Sequence, residues 1–186
     1  MPRPKTISDE DVLAAALEVL ADKGADFTLA DLARRVGLSR ATLIQRFGDR
    51  EAIVLRIASF EVDVTRKWLD GMAIEVGRVG LWGFLENVVG SMGTGDGFSA
   101  RVTLAALEAR SPALRKLAHE RYQLVQAAIA ARLPEGPERD NIAVHLHSVI
   151  AGASMQWVAT NGSVGLSEFV LGRLRWTLDH LRTGFT

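Results

Sequence analysis

Thr28-Leu-Ala-Asp-Leu-Ala-Arg-Arg-Val-Gly-Leu-Ser-Arg-Ala-Thr-Leu-Ile-Gln-Arg-Phe47 is the stretch on which the fold turns. Thr28 is a candidate N-cap with Asp31 three residues on, and Phe27 and Leu32 stand where a hydrophobic staple would join them. Leu29, Leu32, Ala33 and Val36 recur at helical spacing and form one apolar face. Gly37 predicts the stop, because glycine enters the left-handed region at a helix end without a Cβ clash. Ser39 restarts a helix two residues later, with Leu43 and Phe47 on its inner face. Gly48 ends that helix, and Asp49 caps a longer one from about Arg50 to Asp70.

Helix, tight glycine turn, helix is the sequence form of a helix-turn-helix, whose second helix enters the DNA major groove. Successive residues advance about 100° around a helix, so with Leu43 and Phe47 inward, Ala41 and Gln45 point outward and Thr42 and Ile44 flank them. An amide can bond adenine bidentately, a hydroxyl can donate or accept, and Ile or Ala can touch a thymine methyl. Arg40, Arg46 and Arg50 surround this face and suit phosphates. Residues 34–50 hold five arginines (Arg34, Arg35, Arg40, Arg46, Arg50) against Asp49 alone. The bland alternative is an αα-hairpin with a solvated basic face.

Outside this stretch the periodicity is also helical. Val12, Ala16, Val19 and Leu20 mark a first helix, begun by Ser8 and ended by Gly24. Its acids Asp9, Glu10, Asp11, Glu18 and Asp22 imply an exposed face pointing away from DNA, while Arg3 and Lys5 stand where they can add a minor-groove or phosphate contact. Further helices are expected over Leu81–Met92, Phe98–Ala109, Pro112–Leu133, Arg139–Thr160 and Ser167–Thr183. Gly93-Thr-Gly-Asp-Gly97 reads as a flexible linker. The expectation is an all-α chain of about nine helices: an N-terminal three-helix helix-turn-helix domain (1–50) and a C-terminal helical bundle (51–186).

The 186 residues suffice for a core without staples. Twenty-two basic residues balance 22 acidic ones, which excludes a wholesale basic nucleic-acid coat but not a local basic patch. With no cysteine, disulfide scaffolds, thiolate metal sites and thiol nucleophiles are excluded. No apolar run reaches the ~18 residues of a membrane helix, and Asp9-Glu10-Asp11 follows the N-terminus in place of an apolar signal core. A cytoplasmic protein with no membrane partner is the default. His145 and His147, two apart on a helix, lie about 200° apart and cannot share an ion. No nucleophile motif, phosphate loop or metal spacing appears, so no enzyme, cofactor or metal is expected.

The segment Thr28–Ile53, with the amphipathic helix and glycine before it, resembles the N-terminal signature of the TetR (tetracycline-repressor) family, and Gly152-Ala-Ser-Met-Gln-Trp157 is a further, looser likeness. The resemblance implies that Thr28 contacts a phosphate, that Arg40, Ala41 and Thr42 reach DNA from the start of the second helix, and that Gln45 and Arg46 add base or phosphate contacts. Arg50 stands where the family usually has a phosphate-binding lysine. Ile44 replaces the usual tyrosine and removes one backbone contact, leaving a thymine-methyl contact in its place.

Trp68, Met72, Trp82, Phe84, Met92, Phe98, Tyr122, Met155 and Trp157 enrich the larger part. Burial in an ordinary core is their default, and an apolar effector cavity is the functional alternative. Trp82, Tyr122 and Trp157 are the candidate effector contacts. The family dimerises through its last two long helices. Ser148, Gly152, Met155 and Ala159 on one, and Phe169, Leu174 and Leu178 on the other, are the candidate interface. Together these readings describe a homodimeric transcriptional regulator, a repressor, that binds a palindrome in double-stranded DNA and is released by a small, largely apolar effector. An all-α enzyme or a helical protein-binding adaptor is the alternative.

Overall fold

The computed structural model describes residues 7–93 and 96–181, with side chains at 96, 97 and 99 set aside. Arg3, Lys5, Thr94, Gly95 and the end of the last expected helix (Arg182, Thr183) lie outside the described residues. Among the described residues there are nine α-helices and no strand: α1 Asp9–Lys23, α2 Leu29–Val36, α3 Arg40–Phe47, α4 Arg50–Asp70, α5 Arg78–Gly90, α6 Asp96–Glu108, α7 Pro112–Ala130, α8 Arg139–Val158 and α9 Leu166–His180. A single 3-10 turn, Gly24–Asp26, follows α1.

Local chemistry fixes the early boundaries. Ser8 Oγ accepts from the Asp11 amide at 3.0 Å and starts α1. Thr28 Oγ1 accepts from the Asp31 amide at 3.2 Å, and Asp31 Oδ2 accepts from the Thr28 amide at 2.9 Å. This reciprocal capping box satisfies donors that a helix start leaves open. The Thr28 hydrogen bonds, from its hydroxyl first and its backbone second, hold the Asp31 carboxyl below its ordinary pKa. Gly37 closes α2 at φ +69°, in the left-handed region, and the Leu38 amide reaches back to the Ala33 carbonyl at 3.1 Å, as in a Schellman turn. Ser39 Oγ then accepts from the Thr42 amide at 3.0 Å.

Contacts divide the chain into two units, the first of residues 7–64 and 99–119, the second of 65–98 and 120–181. The boundary falls inside α4, α6 and α7, and the expected functional division at residue 50 lies within the first unit. In the first unit, Val12, Ala16 and Leu20 of α1, Leu32 of α2, Leu43 and Phe47 of α3, and Ile53 and Ile57 of α4 pack as one core, joined by Leu104 and Leu114. Burying each of these larger side chains contributes about 1.5–3 kcal/mol.

In the second unit, α9 packs on α8 and α5. Leu81 and Leu85 of α5, Ala143 and Leu146 of α8, and Val170 and Leu174 of α9 are fully buried. Arg132, only 3% exposed, sits just past α7. It donates to the carbonyls of Ala128 at 2.7 Å and Ala73 at 2.5 Å, and stacks over Phe84 at 3.9 Å. Burial lowers its pKa. The Gly77 amide donates to the Arg132 carbonyl at 3.0 Å, so this residue clasps the α4–α5 connection from both its ends. That connection folds so tightly that a Cβ at Gly80 would overlap the Glu75 carbonyl.

Gly80 gives a test in which propensity and packing oppose each other. In an open helix, Gly→Ala gains up to about 1 kcal/mol. Here Gly80→Ala is expected to destabilise by about 2–3 kcal/mol, because backbone must move to admit the methyl. Gly37→Ala, which meets no neighbour and carries only the left-handed penalty, is expected to cost about 1 kcal/mol. Urea unfolding of both variants measures the order.

Candidate nucleic-acid interface

The orientation of α3 follows from its two buried residues. Leu43 is 0% and Phe47 2% exposed, and both belong to the first unit's core. The opposite face must then carry positions 40, 41, 44 and 45. Arg40, Ala41, Ile44 and Gln45 are indeed exposed, with Ile44 at 47%. Thr42 is half-buried, and its hydroxyl lies 2.8 Å from that of Ser39 at the cap. Thr28 is exposed, but its hydroxyl also donates to Asp31 at 2.6 Å.

The arginines divide into two groups, which the sequence did not reveal. Arg46 pairs with Asp9 through Nε at 3.1 Å and donates to the Ile7 carbonyl, also at 3.1 Å. Its Nη1 is buried without a partner. Arg50 donates from Nε to the Phe27 carbonyl at 2.9 Å, with a further bond to the Ala25 carbonyl, and stacks over Phe27 at 4.9 Å. Arg35 is paired with Glu18. These three brace α2, α3 and α4 against α1 and the turn after it. Arg34, 75% exposed, has only a 3.4 Å contact with Asp31, and Arg40 has no hydrogen-bonding or ionic partner among the described residues. The phosphate role expected for Arg46 and Arg50 therefore meets a competing structural one. The physical reason is that α1 presents Asp9 and Glu18 toward the helix-turn-helix arginines, pairings that its acid-bearing face, expected only to point away from DNA, did not announce.

The three candidate effector aromatics each meet different neighbours. Trp82 donates to Glu86 at 2.7 Å and lies under Arg175 at 4.8 Å, in a cleft of about 340 Å³ shared with Arg78, Val79, Leu178 and Asp179. Tyr122 meets His147 edge-on at 5.3 Å. Trp157 donates to the Val164 carbonyl at 2.6 Å and packs edge-on against Phe98 at 6.4 Å. Each is thus held in a separate set of contacts within the second unit.

The candidate interface residues also separate. Ser148, Gly152 and Met155 are exposed along α8 and Ala159 is exposed at its C-cap, while Phe169 is half-buried. Leu174 and Leu178, expected at the interface, are buried at 0% and 2%. They belong to the inner side of α9, since a stripe spaced for one helix face goes to the larger apolar neighbour available. The outer side carries Gly172, Arg173 and Trp176, which with Val149, Gly152, Ala153, Gln156 and Thr177 line a groove of about 510 Å³ between α8 and α9. Trp176, 64% exposed, was missed in the sequence reading; its signal was Gly172 four residues before it on the same face.

Among the described residues no helix is long and apolar enough to cross a membrane, and no cluster of three or more His, Cys, Asp or Glu side chains could hold a metal ion.

Residues 12–57 match the family model described as bacterial regulatory proteins, tetR family. Among solved structures, one similar chain is a protein from Saccharomonospora viridis assigned as a transcriptional regulator, in complex with choline. It is 21% identical, with 91% of this chain and 94% of that chain covered and a TM-score of 0.69. Another is a protein from Mesorhizobium loti MAFF303099 assigned to the TetR family of transcriptional regulators, 17% identical, with 90% and 93% covered and a TM-score of 0.65. At these identities the likeness is one of fold. No curated protein is significantly similar to the chain.

His147 sets a pH dependence. Burial first, and the Arg121 cation second, push the His147 pKa down from 6.5 to about 4. Between those values the unfolded imidazole binds the proton that the folded one refuses. Stability is therefore expected to fall as pH drops from about 6.5 to about 4, by at most ~1.4 kcal/mol per pH unit, with no contribution above 6.5. Urea midpoints measured across this range should lose that part of their slope in His147→Gln; an unchanged slope would contradict it.

Proposed function

We propose that this chain, a member of the TetR family by its residues 12–57, is a ligand-responsive repressor that binds a palindromic operator as a homodimer. DNA binding and transcriptional regulation come with the family. The single observation that carries the finer reading is the exposed face of α3, where Arg40, Ala41, Ile44 and Gln45 stand together because Leu43 and Phe47 are locked in the core. Gln45 is the hydrogen-bonding reader and Arg40 a cation without a partner among the described residues, with Thr28, Ala41 and Thr42 at the groove edge. Arg46 and Arg50 hold the reading helix in place.

Two-fold symmetry suits a palindrome, whose half-sites lie about 34–36 Å apart. The outer faces of α8 and α9 support self-association: exposed Trp176 borders a groove whose walls include Gly152 and Gly172, so each copy offers both a knob and a recess, and Met155 adds a second exposed apolar group on α8. In this reading residues 1–50 bind DNA, while 51–186 dimerise and sense a small, largely apolar effector in the cytoplasm. The S. viridis protein's complex with choline supports a small-molecule effector, with Trp82, Tyr122 and Trp157 as candidate contacts. Effector binding would shift α4 and change the separation of the two reading helices. A tenfold loss of operator affinity requires about 1.4 kcal/mol of coupling.

Selection from random duplexes with the purified chain is expected to yield a palindrome. Gln45→Ala should relax base choice at one position per half-site, whereas Arg40→Ala should weaken all duplexes alike and reduce the salt slope by about one unit per half-site. Failure to recover any palindrome at low salt would refute the reading. For the dimer, Trp176→Asp should shift sedimentation from dimer to monomer without loss of helix content. A wild-type chain already monomeric at micromolar concentration would refute self-association through α8 and α9.

A further inference from the structure

Among the described residues, Ile44 is the one large apolar side chain exposed on α2 or α3. It is not a spare core residue, since Leu43 and Phe47 fill the inner positions of α3. Its same-face neighbours are Arg40, Ala41 and Gln45, and among them Ile44 remains 47% exposed. The arginine that follows on α3, Arg46, is turned away to Asp9 and Ile7. The centre of the exposed face is consequently uncharged and apolar, bounded by one amide and one cation.

We propose that Ile44 is a specificity-determining residue that reads the 5-methyl group of a thymine, next to an adenine held by Gln45. The inference rests on the DNA-binding reading above. In the major groove the edges of adenine, guanine and cytosine offer hydrogen-bond donors and acceptors, and only thymine adds a methyl group. An aliphatic side chain pressed on a donor or acceptor would leave it without a partner, which is costly. Pressed on a methyl, it removes apolar surface from both sides. Ala41, one turn back on the same face, is too small to compete for the space and widens the apolar floor. Each half-site should therefore hold a thymine within about two base pairs of the adenine that Gln45 bonds, consistent with the ~1.5 Å rise that separates successive helical residues.

The test uses the full-length chain and the operator recovered by selection. Each thymine is replaced by deoxyuridine, symmetrically in both half-sites, and affinity is read by fluorescence anisotropy. Deoxyuridine removes the methyl and leaves pairing intact. One thymine per half-site should be sensitive, with a loss of about fourfold per half-site and about fifteenfold for the pair, the effect of one methyl-sized group returned to water. Ile44→Ala should bind thymine and deoxyuridine duplexes alike, while Ile44→Val should keep part of the ratio. Both substitutions are at an exposed position, and circular dichroism checks that the fold is retained. An operator indifferent to deoxyuridine throughout, or a sensitivity unchanged in Ile44→Ala, would overturn the assignment of Ile44 and leave DNA binding standing. Recovery of no operator would overturn both.

Discussion

The burial of Leu43 and Phe47 is the constraint from which the rest follows. Two side chains four residues apart, both excluded from water, fix the rotation of an eight-residue helix about its own axis. A helix so short has little stability alone, so its orientation is a property of the core and not of its own hydrogen bonds. Once Leu43 is inward, Arg40, Ala41, Ile44 and Gln45 have no other place to go. Sequence-specific reading needs this rigidity, because base-edge contacts are lost when side chains are misplaced by about an ångström.

Charge is distributed with the same economy. Of the arginines between positions 34 and 50, three are tied to carboxylates or carbonyls elsewhere in the first unit. Arg46 and Arg50 also lie over the rings of Phe47 and Phe27 at 5.1 and 4.9 Å, so the cations brace the aromatic residues that close the core. The outcome is an exposed face of α3 with less unpaired positive charge than the residue count suggests. Less of its binding would then come from counterion release, and more from contacts that discriminate among bases.

What the sequence made legible were features decided within a few residues. Ser8, Thr28, Ser39 and Asp49 announce helix starts because each side chain satisfies an amide about three positions on. Gly37 announces a stop because only glycine is comfortable at its dihedral angles. The outward face of α3 followed from simple periodicity. Features decided at long range were not legible. That Arg46 meets Asp9, 37 positions away, depends on how α1 crosses α3. Whether the leucines of α9 face a partner or their own core depends on what α5 and α8 offer, and they offer enough to bury Leu174 and Leu178. Trp176, the residue left outside, was hidden by the expectation that large apolar groups go inward. The dispersal of Trp82, Tyr122 and Trp157 among different partners was equally beyond a one-dimensional pattern.

The bond between α1 and α3 has a consequence for the beginning of the chain. The Ile7 carbonyl and the Asp9 carboxylate are both partners of the Arg46 guanidinium, which already has one nitrogen buried and unsatisfied. A protein trimmed past residue 9 would leave that cation with neither. Residues 7–9 thus act as a splint for α3, and removing or remodelling them is an operation on that helix itself.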